Sequence, residues 1–314
     1  MPSALVFFTE LSEAPSKAQR ELLTLVSGFE NPAVAVANQV SDEAQQVLAS
    51  YGVVKLFTAS GDAPVFGQHE ISVLDAAVQA TAAELVLLAN DNFSRELGAR
   101  LAVRRNGAII TDVIGISGDL VATKDELAGS YSVQARATNG TLFATLKPNS
   151  IEDAPAASST ALAVEELALE NSNDAKVRIA AAEAKVASDR PALTEARVVV
   201  AGGRGVNGDF GPVEDLADAL GAAVGASRAA TDAGWISHDA QIGQTGATVA
   251  PQLYISAGIS GAIQQKAGMQ TSKFIIAINK DVDAPVFEIA DLGIVGDLAK
   301  VLPQTAEEIR RRKA

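Results

Sequence analysis

The chain has 314 residues, 48% hydrophobic, 4% aromatic and without cysteine, and its formal net charge is -13. That length allows two domains, with cores built mainly from Ala, Val, Leu and Ile. The lack of cysteine excludes disulfides, thiolate metal sites and cysteine-held iron–sulfur clusters within this chain. The acidic average field disfavours nucleic acid and phospholipid surfaces. Residues 1–10 lack a basic leader, and no uninterrupted apolar run approaches the roughly 20 residues of a spanning helix. The expectation is a soluble, unprocessed, cytoplasmic protein with no nucleic-acid partner and no direct membrane insertion.

In chain order, residues 4–8 read as a buried strand. Residues 17–29 have helical spacing, with Leu22, Leu23 and Val26 on one stripe and Gly28 as a stop. Strands are expected at 33–37, 53–57 and 85–89, with helices at 42–50 and 69–82. A helix follows at 94–105, for which Ser94 is the expected cap. Residues 108–110 and 113–116 continue the α/β rhythm. From 120 to 179 the character changes, and the short alternating pieces 131–135 and 141–146 suggest antiparallel edge strands. A domain boundary falls at 188–191, where Pro191 and the charges before it break the pattern. Beyond it come a strand opening at Arg197, a glycine-rich loop, a helix at 212–220 stopped by Gly221, and a strand at 222–226. A strand at 275–278 and helices at 290–302 and 305–312 complete the reading. The fold class is α/β: two domains, 1–190 and 191–314, each on a mainly parallel sheet flanked by helices.

The chemistry concentrates in the second half, where short apolar strands end in glycines and small polar residues. That is the pattern of a parallel sheet whose carboxyl-end loops hold a ligand. Gly203, Gly205 and Gly208 match the spacing of a dinucleotide fingerprint after a strand, but the helix is delayed and no ribose-binding acid closes the unit. A nicotinamide dinucleotide, a plain tight turn and another phosphate-bearing ligand all stay open. Arg204 inside the loop favours the last, because a guanidinium among free amides suits a pyrophosphate. Residues 243–246 and 258–261 leave amides open to a flat ligand or form structural turns. Ser227 and Arg228 end a strand, where a buried cation needs an anionic or electron-rich partner, unless Arg228 makes an ordinary salt bridge. His69 and His238 read as surface or loop residues, so metal chemistry and a serine–histidine–acid mechanism lack support. Glu165, Glu166, Glu307 and Glu308 read as solvated helix charges, and the basic tail 310–313 complements a helix C-terminus.

Residues 193–205 resemble the opening of the FAD domain in the alpha subunit of electron-transfer flavoprotein. Residues 224–230, 241–246 and 253–279 resemble the motifs that follow, in the same order, and Asp297 and Leu298 fit near the end. The resemblance covers roughly residues 190–303, whereas the first half shares only its α/β rhythm. It implies a Rossmann-like FAD-binding domain at 191–314, with domain 1–190 packing on a beta subunit. It implies an electron carrier rather than an enzyme, taking electrons from dehydrogenases, such as the acyl-CoA dehydrogenases of fatty acid beta-oxidation, and passing them to a membrane quinone reductase. Carried over by motif, Arg204 contacts the pyrophosphate or adenosine side, and Ser227 and Arg228 sit by the flavin. Gln241, Ile242, Gly243, Gln244 and Thr245 line it, with Thr245 at the N5 edge. Ser260, Gly261, Ala262, Ile263, Gln264 and Gln265 wrap the phosphates and the pyrimidine edge, and Asn279, Asp297 and Leu298 hold the adenosine end. Arg228, Thr245 and Gln265 then tune the cofactor. One departure concerns Gln265, where the family commonly has a histidine aimed at the flavin N1/O2 edge. Two other classes compete: a nicotinamide-dependent dehydrogenase using residues 203–208, and a nucleotide-binding module with no redox role. A second flavin on the partner would make the dimer bifurcating.

Overall fold

In the computed structural model, which describes residues 1–61, 66–126, 131–169, 180–181 and 189–313, the apolar runs become strands of two separate sheets. The chain divides into two units, Met1–Ala184 and Lys185–Ala314. The break expected at 188–191 begins at Ser188, which lies outside the described residues. So do 127–130 and 170–179, within the segment whose character changes.

The first unit runs β1 (Ser3–Phe8), α1 (Lys17–Val26), β2 (Glu30–Val36), α2 (Asp42–Ser50), β3 (Lys55–Thr58), α3 (Gln68–Thr81), β4 (Leu85–Ala89), α4 (Asn92–Arg104), β5 (Ala108–Ile116), β6 (Val121–Glu126), β7 (Tyr131–Arg136), β8 (Leu142–Leu146) and β9 (Ala163–Glu166). Among the described residues its sheet is ordered β7-β6-β5-β8-β4-β1-β2-β3-β9. It is parallel from β5 to β9, and β6 and β7 add an antiparallel extension. Successive side chains of a strand point to opposite faces, so the sheet is buried on both. Ala4, Val6 and Phe8 pack with Leu22, Leu23 and Val26 of α1 and Leu48 of α2. Leu5 and Phe7 pack with Leu74 and Ala77 of α3 and Leu97 and Leu101 of α4. Each fully buried Leu contributes about 1.5–3 kcal/mol. Ser16 starts α1 with a reciprocal cap, Gln19 N to Ser16 Oγ at 3.2 Å and Ser16 N to Gln19 Oε1 at 2.9 Å, a device that contributes about 1 kcal/mol.

Several local expectations are corrected here. Asp91, not Ser94, caps α4: its carboxylate accepts from Ser94 N at 2.8 Å, and Ser94 is already in the first turn. Residues 141–146 are not an edge. β8 lies between β4 and β5, parallel to both, and all five of its residues are buried, the two-sided burial of an inner parallel strand. Residues 108–116 form one strand, irregular between Ile110 and Val113, with Asp112 at φ 59°. Glu165 and Glu166 lie on strand β9, where Glu165 pairs with Lys55 at 2.8 Å. His69 lies in α3, half-buried, with Nε2 2.5 Å from the carbonyl oxygen of Ala37.

The second unit runs β10 (Val198–Gly202), α5 (Gly211–Leu220), β11 (Ala223–Ala226), α6 (Arg228–Asp232), β12 (Leu253–Ala257), α7 (Ile263–Lys266), β13 (Ile275–Asn279), β14 (Leu292–Val295) and α8 (Leu298–Lys313). Its five strands are parallel, in the order β11-β10-β12-β13-β14. One face, with Val200, Ile255 and Ile278, packs on Leu216 of α5 and Leu302 of α8. The other, with Val199, Tyr254 and Ile275, packs on Ile242, Val249 and Met269. Gly221 ends α5 at φ 68° as its glycine requires. The expected helix over 290–302 is corrected: 292–295 form the edge strand β14, and α8 runs unbroken through Pro303. Pro303 removes one backbone hydrogen bond, but Leu302 and Ala306 on either side are fully buried and hold the helix together.

Candidate cofactor-binding site

The strand order reverses between β10 and β12, and open parallel sheets bind ligands beyond the carboxyl ends of the strands at such a point. A cleft of about 710 Å³ opens there, inside the usual range of about 300–1,000 Å³ for small-molecule sites. Its wall comes from the loops after β10, β11, β12 and β13.

Glycines let these loops approach one another. A Cβ on Gly203 would lie 2.4 Å from the carbonyl oxygen of Gly258, and one on Gly205 would lie 2.7 Å from Gly258 Cα. The amide of Gly205 is already bonded to the carbonyl of Gly258 at 3.0 Å. Asn207 and Gly208 then take positive φ, and the helix waits until Gly211. The 203–208 loop thus packs against its neighbour loop. Behind the wall residue Gly243, a Cβ on Gly268 would meet Gly243 N and Cα at 2.4 Å. Gly225 leaves room for Ile242, whose Cδ1 would lie 2.3 Å from a Cβ there, and Ile242 N bonds to Ala226 O at 2.9 Å.

The side chains divide into committed and uncommitted groups. Ser227 precedes α6 but makes no side-chain cap bond. Its Oγ is buried without a hydrogen-bond partner among the described residues, although it stands in the cleft wall. Arg228 is not buried, as the strand-end reading required: its side chain is 68% exposed and pairs with Asp232 at 3.2 Å, one turn along α6. Thr231 Oγ1 lies 2.9 Å from Gln241 Oε1, and Gln241 Nε2 donates to Thr245 Oγ1 at 3.0 Å. Gln265 Nε2 donates to the hydroxyl of Tyr254 at 3.2 Å. Burial pushes the Tyr254 phenol above its ordinary pKa, against the lowering effect of the Gln265 bond, so it stays neutral. Asn279 Nδ2 donates to Ile259 O at 3.0 Å, tying β13 to the loop after β12.

Arg204, Ser227, Arg228, Gln241, Ile242, Gly243, Gln244, Thr245, Ser260, Ala262, Gln264, Gln265 and Asn279 all line this cleft. Gly261, Ile263, Asp297 and Leu298 stand apart from its wall. Gly261, at φ 83°, presses on Val286, where a Cβ would come within 2.5 Å of backbone. Ile263 opens α7 and is 65% exposed. Asp297 accepts from Ala299 N at 3.0 Å at the start of α8, and Leu298 packs over Gly205 and Gly258. Asn207, Asp232, Lys280, Asp281 and Ala284 also line the cleft but were not among the expected site residues. Asp232 had a usable signal, since it follows Arg228 at the helical spacing of an ion pair.

A parallel doubly wound unit with its cleft at the switch point defines a domain that binds a nucleotide-type cofactor. Residues 192–270 match the family described as the electron transfer flavoprotein FAD-binding domain, and residues 9–172 match the electron transfer flavoprotein domain. The chain is 43% identical over 326 residues to the electron transfer flavoprotein subunit alpha of Mycobacterium leprae, covering 100% of both chains. It is 38% identical over 287 residues to that of Bacillus subtilis, covering 88% of this chain and 87% of the other. The chain belongs to the electron transfer flavoprotein alpha subunit family, and its second unit carries that family's FAD-binding domain.

Proposed function

We propose that FAD lies along this cleft and that the chain acts as the alpha half of a heterodimeric electron carrier. The observation that carries the placement is Ser227. A buried hydroxyl without a partner costs about 1–3 kcal/mol, and a polar cofactor in the cleft supplies the missing hydrogen bond. The other lining groups fit the same occupant. Arg204 offers a guanidinium for the pyrophosphate, Arg228 a cation for the ring, and Asn279 marks the adenosine end. Thr245 and Gln265 face the ring edge and, with Arg228, tune it. Gly261, Ile263, Asp297 and Leu298 act from behind, by shaping the loops. FAD, when bound, supplies the redox chemistry, and the protein sets its potential through donors and charge.

In this reading the chain pairs with a beta subunit, and the unit 1–190 packs against it. Tyr131 and Val133, 62% and 40% exposed on β7, an edge strand among the described residues, support that role, because a strand edge is a ready interface. Electrons come from dehydrogenases, acyl-CoA dehydrogenases of beta-oxidation among them, and leave to a membrane quinone reductase. The carrier works in the cytoplasm. No helix among the described residues is long and apolar enough to cross a membrane.

The test is to purify the chain with its beta subunit and record the visible spectrum and the flavin content. The expected result is one FAD per dimer held by this chain, with weaker retention in Ser227→Ala. A colourless dimer, or a dimer whose flavin is retained equally by the Ser227→Ala variant, would remove the basis for this placement.

A further inference from the structure

Gln241 lines the cleft, yet both ends of its side chain are bonded to protein. It is 7% exposed and lies between Thr231, 2% exposed, and Thr245 at the cleft surface. Thr231 Oγ1 stands 2.9 Å from the amide oxygen, and the amide nitrogen stands 3.0 Å from Thr245 Oγ1. An amide oxygen only accepts and an amide nitrogen only donates, while a hydroxyl has one proton. Thr231 therefore gives its proton to Gln241, and Gln241 gives one of its own to Thr245. The oxygen of Thr245 is used as an acceptor, and its single proton is left for the cleft.

We propose that Thr231 and Gln241 are positioning residues that hold the Thr245 hydroxyl as a hydrogen-bond donor toward the flavin edge. This rests on the placement of FAD in the cleft. Thr231 also stands 3.0 Å from the carbonyl oxygen of Arg228. If its proton went there instead, the amide would turn over, and Thr245 would spend its proton on Gln241 and meet the ring as an acceptor. The first arrangement is the one in the structure, with the amide oxygen against Thr231 and the amide nitrogen against Thr245, and it presents a donor to a lone pair on the oxidised flavin edge. A donor at that edge gains strength as negative charge builds on the ring, so losing it disfavours uptake of the first electron. Thr231 touches no cofactor atom in this scheme and acts only through Gln241.

The experiment uses the FAD-loaded dimer with Thr231→Val, Thr231→Ser, Gln241→Met, Thr245→Val and the Thr231→Val/Thr245→Val double variant. Resonance Raman reads hydrogen bonding at the flavin ring, and potentiometry reads the first electron. Thr231→Val and Gln241→Met should shift the ring-nitrogen band in the same sense as Thr245→Val. They should lower the equilibrium constant for the first electron by roughly threefold to tenfold, the worth of one neutral hydrogen bond. Thr231→Ser should restore both, and Thr231→Val should add nothing in the Thr245→Val background. If Thr245→Val shifts the band while Thr231→Val and Gln241→Met do not, the relay is wrong and the FAD placement stands. If Thr245→Val leaves the band of bound flavin unmoved, the relay and the placement of Thr245 at the ring both fall. Should Thr231→Val fail to load FAD, Gln241→Met decides alone.

Discussion

Gln265 donates its amide N–H to the hydroxyl of Tyr254 across 3.2 Å, with Gln265 9% and Tyr254 1% exposed. One of the two amide protons of Gln265 is thus spent inside the protein, and the other is left to donate. A histidine at 265 has two ring nitrogens, one for Tyr254 and one for the cleft. Negative charge on the flavin favours its protonated form. Gln265→His should therefore raise the first-electron potential. A gain of about 1 kcal/mol, the difference between a charged and a neutral hydrogen bond, corresponds to on the order of 40 mV. The histidine's pKa is raised by the anion, so the gain is present below that pKa and fades as pH rises through it. Tyr254 stays protonated through this range, because burial holds its phenol up. Potentiometry of both proteins at two pH values checks this, and an unchanged potential without new pH dependence would take position 265 away from the ring.

The pair Arg228–Asp232 makes an opposed prediction. Removing the cation with Arg228→Ala should lower the first-electron potential while FAD stays bound. Removing its neighbour with Asp232→Asn should raise it, because the carboxylate 3.2 Å away offsets the guanidinium. The side chains are 68% and 53% exposed, so each change is screened and amounts to about 1 kcal/mol, on the order of 40 mV. The opposite signs are the check: equal shifts in both variants would point to a packing change instead of charge.

Gly268 stands outside the cleft wall, yet it should matter for cofactor retention. A Cβ there would lie 2.4 Å from the backbone of Gly243, and backbone cannot swing aside as a flexible side chain does. Gly268→Ala should cost about 1–3 kcal/mol through forced displacement and lower the flavin-to-protein ratio of the purified dimer. Gly221→Ala is the control. It meets nothing within 4 Å at φ 68°, so it should cost only the left-handed strain of about 1–2 kcal/mol and keep its flavin. A fully loaded Gly268→Ala dimer with an unchanged melting temperature would refute the prediction.

In the first unit the carboxylate of Asp112 accepts from Asn90 at 2.8 Å and from Arg95 at 2.7 Å. Burial raises its pKa, but the Asn90 hydrogen bond, the Arg95 charge and the Thr111 hydrogen bond outweigh that, so the net shift is downward. A depressed folded-state pKa contributes stability above the unfolded value and loses it as pH falls through the folded one. Asp112→Asn should be less stable than the parent at neutral pH, by at most about 1 kcal/mol because the group is partly exposed. The two should converge in acid, below the ordinary aspartate pKa. Asparagine tolerates the positive φ of 59° at this position, so strain does not confuse the comparison. Acid unfolding followed by circular dichroism reads the difference.

The sequence by itself determined the strand and helix frame, because consecutive apolar residues must leave water whatever their partners: residues 4–8, 85–89 and 198–202 are strands on that ground alone. It also determined the loops that line the cleft, because their glycines and small polar residues are local in the chain. Tertiary structure alone decided that β8 is an inner strand and β14 an edge, since pairing joins residues distant in sequence. It decided likewise that Arg228 lies in the open beside Asp232, and that glycines such as Gly205 and Gly268 serve loop against loop. The same holds for Thr231 and Tyr254. Each offers one polar atom to a side chain ten or eleven positions away, a distance that local spacing does not encode and that folding closes.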